Sequence, residues 1–379
     1  MIHFRPAIQS LAACFSLLAS CAAVAVPNPP AMDARAWLLF DATSGQSIAS
    51  RNADDRIEPA SLTKLMTAYL TFQALKDKTL ALNQAIRVSE HAWRARGSRM
   101  FIEPRVPVTV EQLLHGLIVQ SGNDACIALA EAISGTEAAF VERMNREAQR
   151  LGMKSTHFTN SSGLPNREHY STANDLVLFT AALIRDHPGY YKLYSEREFT
   201  YNDITQQNRN RLLWLDPNVD GVKTGHTESA GYCLIASARR GMRRLVSIVV
   251  GAPSERVRAR ESQELLNFGF QSYDGVRLYQ KGKAISALPV WKGSERELKA
   301  GVAEDLYVTV PKGSLGKLQA ELVSVQPLVA PLVAGQRVGT LRVLQEGEPL
   351  AEYPVIALED VAIAGIFRRA WDGVVMWLR

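Results

Sequence analysis

The sequence predicts a mixed α/β (α+β) architecture in two folded units, closed by a C-terminal helix. Three observations predict it. A hairpin pattern opens the chain, helical periods fill its middle, and two strands with a further helix follow before residue 270; both ends of such a unit can close one sheet under packed helices. After Tyr273 the character changes to short β-patterned runs punctuated by glycine and proline. The chain's 379 residues also exceed one average domain.

The elements follow in order. Residues 36–50 read as a hairpin: Trp37 to Phe40 as a buried strand, Thr43-Ser44-Gly45 as the turn, and Ser47 to Ser50 as the return. From Pro59 the period lengthens, and Leu62, Leu65, Met66, Tyr69, Leu70, Phe72 and Leu75 recur at helical spacing. Further helices are expected at 110–119, 124–134, 137–151 and 173–185. Strands at 231–238 and 244–251 flank a tight turn at Arg239-Arg240-Gly241, and 254–268 returns to a helical period. Val276 to Ile356 has the profile of a small all-β sandwich.

The two ends carry their own signals. His3 and Arg5 precede an apolar run from Ile8 to Val24, and Ala23-Val24-Ala25 offers a small-x-small cleavage site. Residues 1–25 therefore read as an export signal, the run being short of the roughly 20 residues a membrane span needs. Leu18-Ala19-Ser20-Cys21 keeps a lipoprotein cleavage site open as an alternative. At the other end, residues 358–379 form the last segment. Ile363, Ile366, Phe367, Ala370, Trp371, Val374, Val375, Trp377 and Leu378 fall within half of a helical wheel. Arg368, Arg369, Asp372 and Arg379 fall on the other half, the pattern of a helix lying on anionic lipid. Packing of that helix on its own β-domain is the competing expectation.

Composition excludes more than it selects. A net charge of +5 suits several anionic partners, but no zinc-finger spacing or aromatic-basic motif points to nucleic acid. The seven histidines show no ligand spacing, so neither a metal nor another cofactor is expected. Cys126 and Cys233, the cysteines outside the leader, are expected to be buried free thiols rather than a disulfide.

The chemistry lies in three short motifs: Ser61-Leu62-Thr63-Lys64, Ser121-Gly122-Asn123 and Lys223-Thr224-Gly225. The first sets a hydroxyl and an amine three residues apart at a helix start, on one face. A serine needs an adjacent base to become a nucleophile. A lysine can serve if it is neutral, and burial or a second cation such as Lys223 would lower its pKa. An S-x-x-K match alone arises by chance roughly once or twice in such a chain, whereas each of the other two arises in about one chain in ten. Ser314-Leu315-Gly316-Lys317 is such a chance match, read as a turn. The three together, at a helix start, between helices and before a strand, point to acyl transfer.

Longer blocks around these motifs resemble a known family, the low-molecular-mass penicillin-binding proteins, specifically the DD-carboxypeptidases (peptidase family S11) with a C-terminal membrane anchor. Pro59 to Lys64, Gln120 to Cys126 and Asp220 to Thr227 carry the resemblance, which runs over nearly the whole mature chain. It implies a serine transpeptidase/β-lactamase-like catalytic domain at 26–272, a β-sandwich domain at 273–357, and removal of the terminal D-alanine from peptidoglycan stem peptides. By resemblance Ser61 is the nucleophile, Lys64 its base and Ser121 a proton relay. Asn123 holds the peptide backbone, Lys223 tunes the field and Thr224 contacts the terminal carboxylate, beside Gly225. The N–H groups of Ser61 and His226 form the oxyanion hole, where a donor is worth about 3–4 kcal/mol. Arg209 resembles a site residue and Arg258 the anchor of the substrate carboxylate. β-Lactams are implied as covalent inhibitors, and the outer face of the cytoplasmic membrane as the location. Ser162 stands where some members carry a histidine.

Three other readings compete. A class A β-lactamase needs an E-x-x-L-N pattern between the second and third motifs, and none of Glu131, Glu137, Glu142, Glu147, Glu168, Glu196 and Glu198 satisfies it. A DD-endopeptidase would share the chemistry and differ only in pocket shape. A catalytically silent scaffold would show damage in a motif, and all three are intact.

Overall fold

The computed structural model describes residues 27–378; the proposed leader, with Cys14 and Cys21, lies outside them. The first unit is built on an antiparallel five-stranded sheet. Its strands are β1 (Ala36–Asp41), β2 (Gln46–Arg51), β3 (Val219–Thr227), β4 (Gly231–Arg240) and β5 (Arg243–Ala252), in the order β2-β1-β5-β4-β3. Both ends of the unit thus meet in one sheet, as the pattern predicts: β1 pairs with β5 from Ala36↔Val250 to Asp41↔Leu245.

All six residues of β1 are buried because the sheet is covered on both faces. Side chains alternate across a strand. Leu38 and Phe40 therefore join a core shared with Leu65, Phe72 and Leu129, while Trp37 and Leu39 pack with Leu265 and Leu266. Those two leucines belong to the helix Glu255–Ser272 (α5 below).

The helical layer consists of α1 (Lys64–Lys76), α2 (Asn123–Ser134), α3 (Glu137–Arg150) and α4 (Ala173–Asp186), and α5 covers the opposite face. A helix was expected just after Pro59; a 3₁₀ turn at Ala60–Thr63 comes first and leads into α1, which is buried on nearly all sides, Thr67 and Thr71 included. Thr71 donates to the Thr67 carbonyl at 2.7 Å, so its hydroxyl costs little there. The expected 110–119 helix is Val110–His115 continued by a π-helical turn at Gly116–Gln120. A hairpin at Glu198–Tyr201 and Ile204–Gln207 was not foreseen.

The second unit starts at Tyr273, where the sequence changes character. A two-stranded sheet, Tyr273–Tyr279 with Leu306–Pro311, packs with a six-stranded sheet around Leu298, Val308, Leu341 and Val355. The units are joined through buried Asp41, which accepts from Arg243 Nε at 2.6 Å and from Thr309 Oγ1 at 2.8 Å.

The C-terminal helix, α6, is shorter than the 358–379 segment expected: it spans Ile366–Trp377. Val361 and Ile363 are instead held by bridges to Leu332 and Gly293. Its polar side docks on the β-domain, where Asp372 Oδ2 accepts from Lys292 N at 2.6 Å and Arg368 donates to the Ser294 carbonyl at 3.0 Å. The apolar side faces outward, with Phe367 93% and Trp377 84% exposed. No helix among the described residues is long and apolar enough to cross a membrane.

Candidate active site

The three motifs converge on one cleft of about 260 Å³, whose walls include Ser61, Ser121, Asn123, Thr224, Gly225 and His226. Ser61 lies in the 3₁₀ turn that opens α1, after Ala60 at φ 47. Non-glycine residues seldom adopt that conformation. The turn is braced by Gly163 at φ +86, where a Cβ would lie 1.8 Å from the Ala60 carbonyl oxygen. Only a glycine lets the 160–164 loop approach so closely.

Lys64 sits one turn further on, fully buried, with Nζ 3.0 Å from Ser61 Oγ. The same Nζ donates to the Ser162 carbonyl at 2.6 Å. Ser162 thus serves through its backbone. Burial, with the Arg209 guanidinium adding to it, lowers the Lys64 pKa from 10.5 to about 8. Lys223 is pushed well below the lysine range, first by burial and then by the charge on Lys64. Two ammonium groups cannot both be retained cheaply in so dry a place. Arg209, exposed at the mouth of the cleft, is a further cation that weighs on Lys64, and Lys64 and Lys223 disfavour each other's charged form.

The second motif follows the π-helical turn, and Ser121 takes a left-handed conformation, φ 68 and ψ 37. Its Oγ is buried with no hydrogen-bond partner among the described residues. Such an orphan hydroxyl, facing the cleft, calls for an explanation. Asn123 begins α2 and donates from Nδ2 to the Arg96 carbonyl at 2.6 Å. Asp124, unnoticed in the sequence, accepts from Met100 N at 3.0 Å and Phe101 N at 2.9 Å. It fastens the loop that supplies Gly97 and Ser98 to the cleft wall.

The third motif was expected before a strand; it lies within one, the edge strand β3. An edge strand leaves one row of backbone groups free for a substrate to pair with. Lys223 Nζ donates to the Thr224 carbonyl at 3.0 Å. Arg209 is steadied by its neighbours: Asn208 donates to the Glu196 carbonyl at 2.8 Å and Asn210 to the Gly221 carbonyl at 2.9 Å.

Arg258, on the first turns of α5, is only 4% exposed and lines the cleft. It donates to the Gly225 carbonyl at 3.3 Å and to Glu255 Oε1 at 2.6 Å. The sequence reading missed Glu255, which already occupies one edge of the guanidinium. It also missed buried His169. Thr159 N donates to its Nδ1 at 3.1 Å, so Nε2 carries the proton and donates to Thr63 Oγ1 at 2.8 Å. Burial, then His157 and Lys64, push the His169 pKa down to about 4, so it is neutral at working pH. Cys126 and Cys233 are free and buried, and burial pushes the Cys126 thiol up to about 12. No group of metal-ligating side chains occurs among the described residues.

Residues 23–254 match the family described as D-alanyl-D-alanine carboxypeptidase. The chain belongs to that family. The carboxypeptidase also matches the penicillin-binding protein 5 C-terminal domain over 273–362. It is 44% identical over 355 residues to D-alanyl-D-alanine carboxypeptidase DacC of Escherichia coli, covering 92% of this chain and 89% of the relative. Penicillin-binding protein 5 of Haemophilus influenzae superposes with a TM-score of 0.85 at 40% identity, over 89% of this chain and 99% of that one. Penicillin-binding protein D2 of Listeria monocytogenes, in its ampicillin-bound form, superposes at 0.59 and 31% identity, over 64% of this chain and 99% of that one. The protein is a serine-type D-alanyl-D-alanine carboxypeptidase.

Proposed function

We propose that the carboxypeptidase removes the terminal D-alanine of peptidoglycan stem peptides through an acyl-enzyme on Ser61. The contact that carries this reading is Lys64 Nζ at 3.0 Å from Ser61 Oγ, with that amine buried and its pKa near 8. Neutral Lys64 takes the Ser61 proton as Oγ attacks the penultimate D-alanine carbonyl. The N–H groups of Ser61 and His226 receive the oxyanion. The orphan hydroxyl of Ser121 hands a proton to the leaving amine, and the D-alanine carboxylate meets Thr224, beside Gly225, and Arg258. Asn123 holds the peptide backbone, Lys223 and Arg209 set the field, and water then releases the ester.

A β-lactam enters the same path. The ampicillin-bound Listeria relative supports this, as does the absence of the E-x-x-L-N pattern, which makes release slow. We place the enzyme on the outer face of the cytoplasmic membrane, exported by 1–25 and held through α6. The docked polar side and outward apolar side of that helix support this. In the test, Ser61→Ala abolishes both D-alanine release and covalent penicillin labelling, whereas Ser314→Ala changes neither. Retained labelling in folded Ser61→Ala protein would refute the assignment.

A further inference from the structure

Lys64 can take the Ser61 proton only if its lone pair points at that hydroxyl. A neutral amine keeps two N–H groups, and here one of them is fixed on the Ser162 carbonyl at 2.6 Å while Nζ stays 3.0 Å from Ser61 Oγ. Where that carbonyl stands therefore decides how the base is aimed.

Two helices grip the segment that carries it. On the α1 side, Thr67 Oγ1 donates to the Ser161 carbonyl at 2.6 Å, so Lys64 and Thr67, on one face of the helix, hold two consecutive carbonyls. On the α3 side, Asn145 exchanges two hydrogen bonds with the Phe158 backbone, at 2.9 and 2.8 Å. Glu137 lies within a quarter turn of Asn145 around that helix and holds the far end of the segment. Its Oε1 accepts from Ser161 N at 3.0 Å and from Ser161 Oγ at 2.6 Å, and its Oε2 meets His91 Nε2 at 2.9 Å.

Glu137 is one of the carboxylates that fail the β-lactamase pattern; it grips a loop instead. Burial raises its pKa, but the Ser161 hydrogen bonds and His91 outweigh burial and leave it below its ordinary value, so the group is an anion at neutral pH. Hydrogen bonds to a charged acceptor are roughly twice as strong as neutral ones. Neither Glu137 nor Ser161 lines the cleft, so substrate touches neither.

We propose that Glu137 is a positioning residue for acylation: by holding Ser161 it sets the Ser162 carbonyl and so aims the Lys64 lone pair at Ser61. The inference rests on Lys64 as the base of the acyl-enzyme reading. What Glu137 supplies is position rather than charge. Glutamine keeps an acceptor for both Ser161 donors and can donate its amide to the other tautomer of His91, whereas alanine leaves both donors unpaired.

The test measures acylation of the full chain by a chromogenic β-lactam at pH 7 and pH 9, with Tm recorded for each variant. Glu137→Ala should acylate at least tenfold more slowly at both pH values, and Glu137→Gln should stay within threefold of wild type. Ser161→Ala, which keeps the backbone bond and loses the hydroxyl one, should fall between them. The pH 9 value is decisive, because Lys64 is already about 90% neutral there. A defect that vanishes at pH 9 would mean that Glu137 acts on the Lys64 pKa, and would overturn the inference. So would Glu137→Ala within twofold of wild type, or equal losses in the alanine and glutamine variants. Should Glu137→Ala not fold, Ser161→Ala at the wild-type rate overturns it in the same way. Each of these outcomes leaves Ser61 acylated by the β-lactam and the acyl-enzyme reading standing. A wild type that takes up no β-lactam overturns that reading, and the inference with it.

Discussion

The lowered pKa of Lys64 makes acylation depend on pH in a calculable way. An ordinary lysine at 10.5 would be about 0.03% neutral at pH 7; at about 8 the neutral fraction is roughly 9%, some 300-fold more base. Because only the neutral amine can accept the Ser61 proton, acylation should follow that fraction. It is about 1% at pH 6, half at pH 8 and about 90% at pH 9. Lys223 titrates in contact with the same field, so the inflection belongs to the pair. The assay is stopped-flow acylation by a chromogenic β-lactam at pH 6–9, which reads the first step without deacylation. The second-order constant should climb nearly tenfold per pH unit at the acid end and flatten above about 8. A profile flat from pH 6 to 9 would refute Lys64 as the titrating base. So would near-normal acylation by Lys64→Arg, because a guanidinium cannot lose its proton in a protein.

The same burial has a cost in stability. Lowering the folded-state pKa from 10.5 to about 8 penalises the fold by about 3 kcal/mol below pH 8, and the penalty is relieved as pH rises from about 8 to 10.5. Lys64→Met, inactive, should therefore raise Tm at pH 7 by roughly 4–8 °C after losing the bond to the Ser162 carbonyl. That advantage should fade by pH 10.5 in differential scanning calorimetry. Arg258→Ala should cut kcat/KM on a free-carboxylate peptide by about 10- to 100-fold and on its amidated counterpart by less than about threefold; equal losses would return Arg258 to a structural role. Gly163→Ala, with its Cβ driven onto the Ala60 carbonyl, should lower Tm and slow penicillin acylation at least about tenfold. Truncation after Gly365 should move active enzyme from the membrane pellet to the soluble fraction. Retention in the pellet would favour a lipid on Cys21, and unfolding would assign α6 to the core.

The sequence displayed the parts of this site that short spacing controls. Ser61 and Lys64 are one turn apart, and any helix start would bring them together. The strands of the sheet were legible where short apolar runs flank a tight turn, in 231–251, and less so in β3, whose Lys223 and Thr224 interrupt the apolar pattern for chemistry. What stayed hidden acts through backbone or across long separations. Lys64 finds the Ser162 carbonyl 98 residues away, and any residue at 162 could offer that carbonyl. Asp124 went unnoticed in the sequence, yet it ties down three amides of a loop more than twenty residues earlier. Arg209 was legible as a letter, but its weight on Lys64 needed the asparagines on either side to fix where it stands. For α6 the wheel found the two faces correctly and misjudged the start, because strand-like bridges at Val361 and Ile363 claim residues whose apolar spacing also suits a helix.

The charge balance explains how such a site can bind an anion without disarming its base. A carboxylate brought near Lys64 and Lys223 would favour their charged forms and so remove the neutral amine that acylation requires. Arg258 is the group assigned to that carboxylate, and in the free enzyme it is already paired with Glu255 at 2.6 Å. A terminal carboxylate arriving there would exchange with one that is present rather than add a new negative charge. Glu255, with its side chain 48% exposed, can turn toward solvent at little cost. The field at the two lysines then changes by a displacement of one carboxylate, not by a full charge. Burial is the dominant cause of the lowered Lys64 pKa in the free enzyme, so an exchange of carboxylates at Arg258 should leave the base available when the substrate is in place.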